Sequence, residues 1–138
     1  MKEHVVLIIS NKERKTLFVQ RSLQKKSLPG KWAFPSGTIE EGEDPQTAAI
    51  REAKEELDID VKAIEIIATK ELPEFSSKLF FMLCDAKDQE PIINEPDEIE
   101  KMQFMTFSDF FATFTDDDIG HGLVWLRKHP EIWKKYGI

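Results

Sequence analysis

The sequence predicts an α/β domain, and three observations carry that expectation. Short apolar runs rich in β-branched and aromatic residues recur along the chain, as in Val5 to Ile9 and Thr16 to Gln20. One segment, from Asp44 to about Leu57, combines a helix-start signal with helical periodicity. The last part, from Ser108 onward, spaces Phe110, Phe111, Phe114, Leu123, Trp125, Leu126, Ile132 and Trp133 at roughly helical intervals. Strand patterns interspersed with helix patterns give a sheet covered by helices. At 138 residues the chain matches the commonest domain size, so one core and a single domain over residues 1–138 are expected. Hydrophobic residues at 41% and charged residues at 33% place it with folded globular proteins rather than disordered ones.

Taken in order, Val5 to Ile9 and Thr16 to Gln20 flank the charged segment Asn11 to Lys15 and read most simply as a hairpin. Pro29-Gly30 and Pro35-Ser36-Gly37 are turn signals on either side of Trp32-Ala33-Phe34, which suggests a loop, a very short strand and another loop. Asp44 is a good N-cap, and Pro45 follows at the first helical position, where a missing N–H costs least. The helix then runs to about Leu57, with Ala49, Ile50, Ala53 and Leu57 as its apolar stripe. Val61 to Thr69, Lys78 to Cys84 and Glu100 to Phe107 read as strands, and one or two C-terminal helices should cover the sheet. Between strands, Asp85 to Glu100 holds two prolines and seven acidic residues and reads as a long acidic loop. Loops of that length inside compact domains are often functional.

A formal charge of -7 argues against a general nucleic-acid surface, because affinity for a polyanion comes largely from Lys and Arg. The charge is unevenly placed: seven basic residues and one acidic residue lie between Asn11 and Lys31, which suits a small anionic ligand or a solvated basic loop. Cys84 is the only cysteine and sits in an apolar run, so it reads as a buried thiol and no intramolecular disulfide is expected. The first apolar run is too short for a signal peptide or a membrane span, which makes a cytoplasmic location the default expectation. His4, His121 and His129 are too scattered to suggest a metal triad, and His121, between two glycines, reads as a loop or helix-start residue.

The most informative stretch runs from Gly37 to Ile59. On a helix, residues three and four apart share a face, so Glu52, Glu55 and Glu56 converge on one patch. Clustered carboxylates repel unless cations compensate them, and hard oxygen ligands select magnesium, manganese or calcium. Glu43, just before the helix, is close enough to join them. An ordinary solvated acidic face, partly neutralised by Arg51 and Lys54, is the alternative for such a helix taken alone. The longer pattern decides between them. Gly37, Glu43, Arg51, Glu52, Ala53, Glu55, Glu56 and Ile59 resemble the Nudix box: Gly, five residues, Glu, seven residues, then Arg-Glu-aliphatic-any-Glu-Glu-any-Gly-aliphatic. Six polar or glycine identities at fixed spacing arise by chance on the order of once in ten million windows. Asp58 stands where that family has glycine, at a site just past the helix where a left-handed backbone is often needed.

This resemblance to the Nudix hydrolases extends upstream through Trp32-Ala-Phe-Pro-Ser-Gly37 and implies an α/β/α sandwich with a mixed sheet and a catalytic helix at about residues 45–57. It implies a magnesium-dependent phosphoanhydride hydrolase, with manganese able to substitute, acting on a small nucleotide rather than a nucleic acid polymer or a membrane. Glu55 and Glu56 are then the main metal ligands, with Glu52 and the Gly37 carbonyl as additional ligands and Glu43 contributing directly or through water. Arg51 belongs to the catalytic set as an orienting partner for a carboxylate. Two general bases remain open, Glu52 and Glu98, with Glu95 behind the latter. Arg21, after the second strand, is a candidate phosphate contact. Trp32 and Phe34 are candidates for stacking on a base, as are Phe75 and Phe80, with core packing as the alternative for each. The leading substrate is a nucleoside triphosphate cleaved to monophosphate and pyrophosphate, as in removal of oxidised nucleotides. ADP-ribose or a nucleotide sugar is the enzymatic alternative, and a non-catalytic nucleotide-binding module is the alternative of another class. Family members are often dimers, so a homodimer is compatible with the resemblance.

Overall fold

The computed structural model describes residues 1–138. Its organising strand is β1 (Lys2–Ser10), which is buried on both faces. Val5, Leu7 and Ile9 face one core layer, and Val6 and Ile8 face the other, which is why the run is continuously apolar instead of alternating. One edge of β1 pairs in parallel with β6 (Ser77–Asp85) over the whole of both strands, from Lys2 opposite Ser77 to Ser10 opposite Asp85.

The other edge of β1 is shared, and this corrects two expectations. β2 (Thr16–Arg21) meets β1 only at Ser10 opposite Thr16, so the expected hairpin is a single rung. The rest of that edge is taken by β4 (Ser36–Thr38), with Val5 opposite Gly37 and Val6 opposite Ser36. Residues with turn chemistry thus form a strand, because β1 offers unpaired backbone groups that need partners. β2 diverges to pair with β3 (Trp32–Ala33) and, antiparallel, with β7 (Ile99–Met105). β5 (Lys62–Leu72) runs antiparallel to β6 and reaches it through a 3₁₀ turn at Pro73–Phe75. The sheet is therefore mixed, as expected.

On one face lies α1 (Pro45–Leu57), capped by Asp44, whose carboxylate accepts the Thr47 N–H at 2.7 Å. Its buried residues are Ala48, Ala49, Ala53 and Leu57 together with Glu52 and Glu56. Ile50, expected in the apolar stripe, is instead exposed, because the buried face is rotated toward Ala48. On the opposite face, three short helices replace the one or two expected: α2 (Phe107–Thr113), α3 (His121–Arg127) and α4 (Pro130–Lys134). The breaks are local chemistry. Thr106 caps α2, Thr115 and Asp118 cap each other's backbone in a 3₁₀ turn, and Pro130 restarts the chain after His129. These helices enclose an aromatic cluster around Phe18, whose ring lies 3.9 Å from Phe110, 5.4 Å from Phe34 and 5.6 Å from Phe107. Layers of helix, sheet and helix complete the α/β/α sandwich.

The acidic segment after β6 forms no strand, as expected, yet it is well anchored. Ile92 N–H donates to Leu57 O and Asn94 N–H to Glu56 O, each at 3.0 Å, while Asn94 Nδ2 donates to Glu55 O at 2.9 Å. Carbonyls left without partners at the end of α1 are thereby satisfied, and the loop is held against that end of the helix.

Candidate active site

Two parallel rows of side chains on α1 build the site. Ala49, Ala53 and Leu57 fill the core, and the adjacent row, Ala48, Glu52 and Glu56, lies at its margin. Glu52 and Glu56 keep only 9% and 7% of their exposure, an uncommon position for carboxylates. Opposite them is Gly37 on β4. A methyl group at that position would overlap the Glu52 carboxylate, so glycine is what lets the strand and the side chain touch. Burial holds the Glu56 carboxyl well above the ordinary range, and the charges of Glu52, Glu95 and Glu98 add to it. Glu52 is also raised by burial, against the opposing pull of Arg51.

Arg51 is the hub of the neighbouring charges. Its guanidinium grips Glu43 through Nε to Oε2 at 2.8 Å and Nη2 to Oε1 at 2.9 Å, and Nη1 reaches Glu52 at 2.9 Å and Glu55 at 3.2 Å. Nη2 also donates to the Thr38 carbonyl at 3.0 Å, tying the helix to β4. The Glu43 carboxylate accepts the Glu40 N–H as well, and with Arg51 its pKa is lowered to about 2. In this arrangement Glu43 is occupied by Arg51, Glu55 leans on the same guanidinium, and no three acidic side chains stand at metal-ligand spacing.

A cavity of about 860 Å³ opens beside this row. Glu95 and Glu98 reach it from the anchored acidic loop, Arg21 from the end of β2 and Lys25 from the segment that follows. Lys25 forms an ion pair with Glu98, and Ser22 N–H donates to Glu98 O at 3.0 Å, so the basic and acidic segments are joined. Arg21 is aimed by Ser27, whose carbonyl and hydroxyl each accept from the guanidinium at 3.0 Å.

Of the residues expected from sequence, Arg21, Phe34, Gly37, Glu52, Glu55, Glu56, Phe75, Glu95 and Glu98 line this one cavity. Arg51 and Glu43 stand behind it. Trp32 does not line it, its ring lying 5.2 Å from Phe114, and Phe34 is 95% buried with its ring in the Phe18 cluster. Lys25, His4, Ser77 and His121 also line the cavity, and no linear pattern pointed to them. Lys25 was visible only as part of a basic segment; the two histidines and the serine meet because β1, β6 and α3 converge.

A family model described as the NUDIX domain matches residues 2–125. The chain belongs to the Nudix family. Among similar proteins, this Nudix domain is 30% identical to Nudix hydrolase 2 of Arabidopsis thaliana over 74% of its own length and 38% of that protein. It is 33% identical to the 8-oxo-dGTP diphosphatase of Proteus vulgaris over 59% of its length and 75% of that protein. It thus spans well under half of the plant relative and most of the bacterial one. In fold it is similar to the MutT protein of Methanosarcina mazei Go1, with a TM-score of 0.76 and 18% identity, covering 99% of this chain and 94% of that one. No helix of the Nudix domain is long and apolar enough to cross a membrane.

Proposed function

We propose that this Nudix domain hydrolyses a phosphoanhydride bond of a nucleoside triphosphate, with magnesium, to give a monophosphate and pyrophosphate. The observation that carries the reading is the buried Glu52–Glu56 pair, Glu52 pressed against Gly37, sharing one cavity with Arg21 and Lys25. The 8-oxo-dGTP diphosphatase relative supports the choice of a triphosphate.

The donor set fits a hard divalent cation. Glu52, Glu55, Glu56 and the Gly37 carbonyl supply only oxygen, and like-charged buried carboxylates gain most from a cation between them. Bound there, magnesium supplies charge neutralisation on the phosphates and a more acidic water. The remaining steps belong to the protein. Arg51 orients Glu52 and Glu55, and Glu43 holds Arg51 in place. Arg21, braced by Ser27, presents its guanidinium to a phosphate oxygen. Glu98 accepts the proton from the attacking water: its side chain is 40% exposed on the cavity wall, whereas Glu52 is engaged by Arg51 and Glu56. Entry of an anionic substrate draws Lys25 away from Glu98 and frees that carboxylate.

The test is phosphate and pyrophosphate release from a panel of nucleoside triphosphates, ADP-ribose and nucleotide sugars with magnesium, comparing the parent with Glu56→Gln, Glu98→Gln and Glu52→Gln. Pyrophosphate release by the parent and its loss in Glu56→Gln is the expected result. Two monophosphates from ADP-ribose or a nucleotide sugar would move the substrate class, and binding without any product would make the domain a nucleotide-binding module. A Glu98→Gln variant that keeps most of the parent's kcat would remove Glu98 as the base.

A further inference from the structure

A second cavity, of about 530 Å³, lies at the opposite end of the β1–β6 pair from the catalytic one. The catalytic cavity is lined by His4 and Ser77, near the starts of these parallel strands, and the second by Ser10 and Asp85, at their ends. At a rise of about 3.3 Å per residue, the length of β1 from His4 to Ser10 puts the two sites about 20 Å apart. The turn between β1 and β2 and the turn that follows β6 supply the charged residues of this cavity. They are fastened together: Ala86 N–H donates to Ser10 O at 3.1 Å, and Lys12 pairs with Asp88 at 3.0 Å.

Both turns hold cations in place. Asn11 closes the first by accepting the N–H groups of Glu13 and Lys15, each at 3.0 Å, and Asp85 closes the second by accepting that of Lys87 at 3.0 Å. Arg14, Lys87 and Asp88 take φ of 61°, 51° and 60°. That left-handed backbone costs free energy at residues other than glycine, and residues held in it gather where ligands bind. The Arg14 guanidinium lies against Gly137, where an added methyl group would come within 2.5 Å of Nη1. Lys12 is spent on Asp88, whereas Arg14 and Lys87 enter no ion pair. Two uncompensated cations are thus placed on an otherwise acidic protein, beside an apolar wall of Ile64, Leu83 and Tyr136.

We infer that this cavity is a second ligand site, for a small phosphate monoester with an apolar or aromatic body. A phosphate monoester carries close to two negative charges at neutral pH and so balances Arg14 and Lys87 together, which a single carboxylate does not. The planar guanidinium meets two phosphate oxygens at once, and the lysine adds a point charge. The wall takes the body of the molecule: Ile64 is 50% exposed on β5, and covering it is favourable. The volume suits a ligand of that size. The assignment does not depend on the reaction at the other end of the strands.

The test is a titration of the full chain with phenyl phosphate, without magnesium, followed by amide chemical shifts. Saturable shifts are expected from Asn11 to Lys15 and from Asp85 to Asp88, with the same affinity in Arg21→Ala, which removes the proposed phosphate contact of the catalytic cavity. Arg14→Gln and Lys87→Gln, both at exposed positions, are each expected to weaken binding about tenfold. Inorganic phosphate is expected to bind more weakly than phenyl phosphate, because it leaves the apolar wall uncovered. Absence of shifts at millimolar phenyl phosphate overturns the site, as do shifts confined to the catalytic cavity or an affinity unchanged in both Arg14→Gln and Lys87→Gln. Inorganic phosphate that binds as tightly as phenyl phosphate overturns the assignment of an organic ligand.

Discussion

Gly37 and Glu52 approach so closely that the smallest side chain at position 37 displaces the carboxylate. Gly37→Ala should therefore fold, because β4 needs only backbone there, yet lose magnesium affinity by about 10- to 100-fold, the range for disturbed ligand support. Magnesium-dependent thermal shift reads this directly; an unchanged titration midpoint would remove Gly37 from the site. Arg51 acts at the same scale through geometry that lysine lacks, since its planar fork meets Glu43 with two bonds and still reaches Glu52 and Glu55. Arg51→Lys should let the Glu43 pKa rise from about 2 toward its ordinary 4.5, as followed by carboxyl chemical shifts on acidification. A Glu43 that still titrates near its parent value would mean that the Glu40 N–H, not Arg51, dominates.

Helix α1 shows how one element serves both core and chemistry, because residues four apart place Ala48, Glu52 and Glu56 in a row beside Ala49, Ala53 and Leu57. Its end is fixed by two devices. Asp58 adopts φ 52° and ψ 42°, the left-handed conformation expected where the family pattern has glycine, and pairs with Lys54 at 3.2 Å. Asp tolerates this conformation and a β-branched residue does not. Asp58→Val should cost about 1–2 kcal/mol by chemical denaturation, with Asp58→Gly at least as stable as the parent to within about 1 kcal/mol. Equal stability of the three proteins would refute the strain account. The second device is Asn94, which binds the carbonyls of Glu55 and Glu56 and holds the acidic loop where Glu95 and Glu98 face Glu56. Asn94→Ala should lower stability by about 1 kcal/mol. On the proposed mechanism it should also reduce kcat more than KM, because the loop carries the base and few substrate contacts.

Across the whole molecule, the carboxylates raised by burial and the one held by Arg51 respond to pH in opposite directions. Glu52 and Glu56 have folded-state pKa values above the ordinary 4.5. Folding therefore favours their protonated forms, and the stability this contributes is fully present below about 4.5 and drains as pH rises through the folded values. Glu43 is lowered to about 2, so its contribution is present above 4.5 and lost as pH falls toward 2. The metal-free protein should lose thermal stability as pH rises from 4.5 toward neutrality, and magnesium should flatten that decline. Glu56→Gln should weaken the decline without added metal; a decline unchanged in that variant would place its origin elsewhere. Packing acts at this scale too. Phe18 touches three rings between the sheet and α2, so Phe18→Ala should cost about 3–5 kcal/mol by denaturant melt.

Sequence alone determined what short-range chemistry encodes: the strand runs, the cap and proline that start α1, the left-handed site at Asp58, the buried Cys84 and the carboxylates spaced to share one helix face. These follow from neighbours within a turn or a strand pair. It did not determine that Ser36–Thr38 is a strand, because that depends on which edge of β1 is left unpaired. Nor did it separate Trp32, packed on Phe114, from Phe75, exposed at the cavity, because an aromatic reads the same in either place until the chain is folded. Tertiary structure alone set Glu98 against Lys25 and His121 against Phe75, pairs separated by 73 and 46 positions in the chain. Contacts of that range arise from the docking of whole elements, which no local pattern of residues specifies.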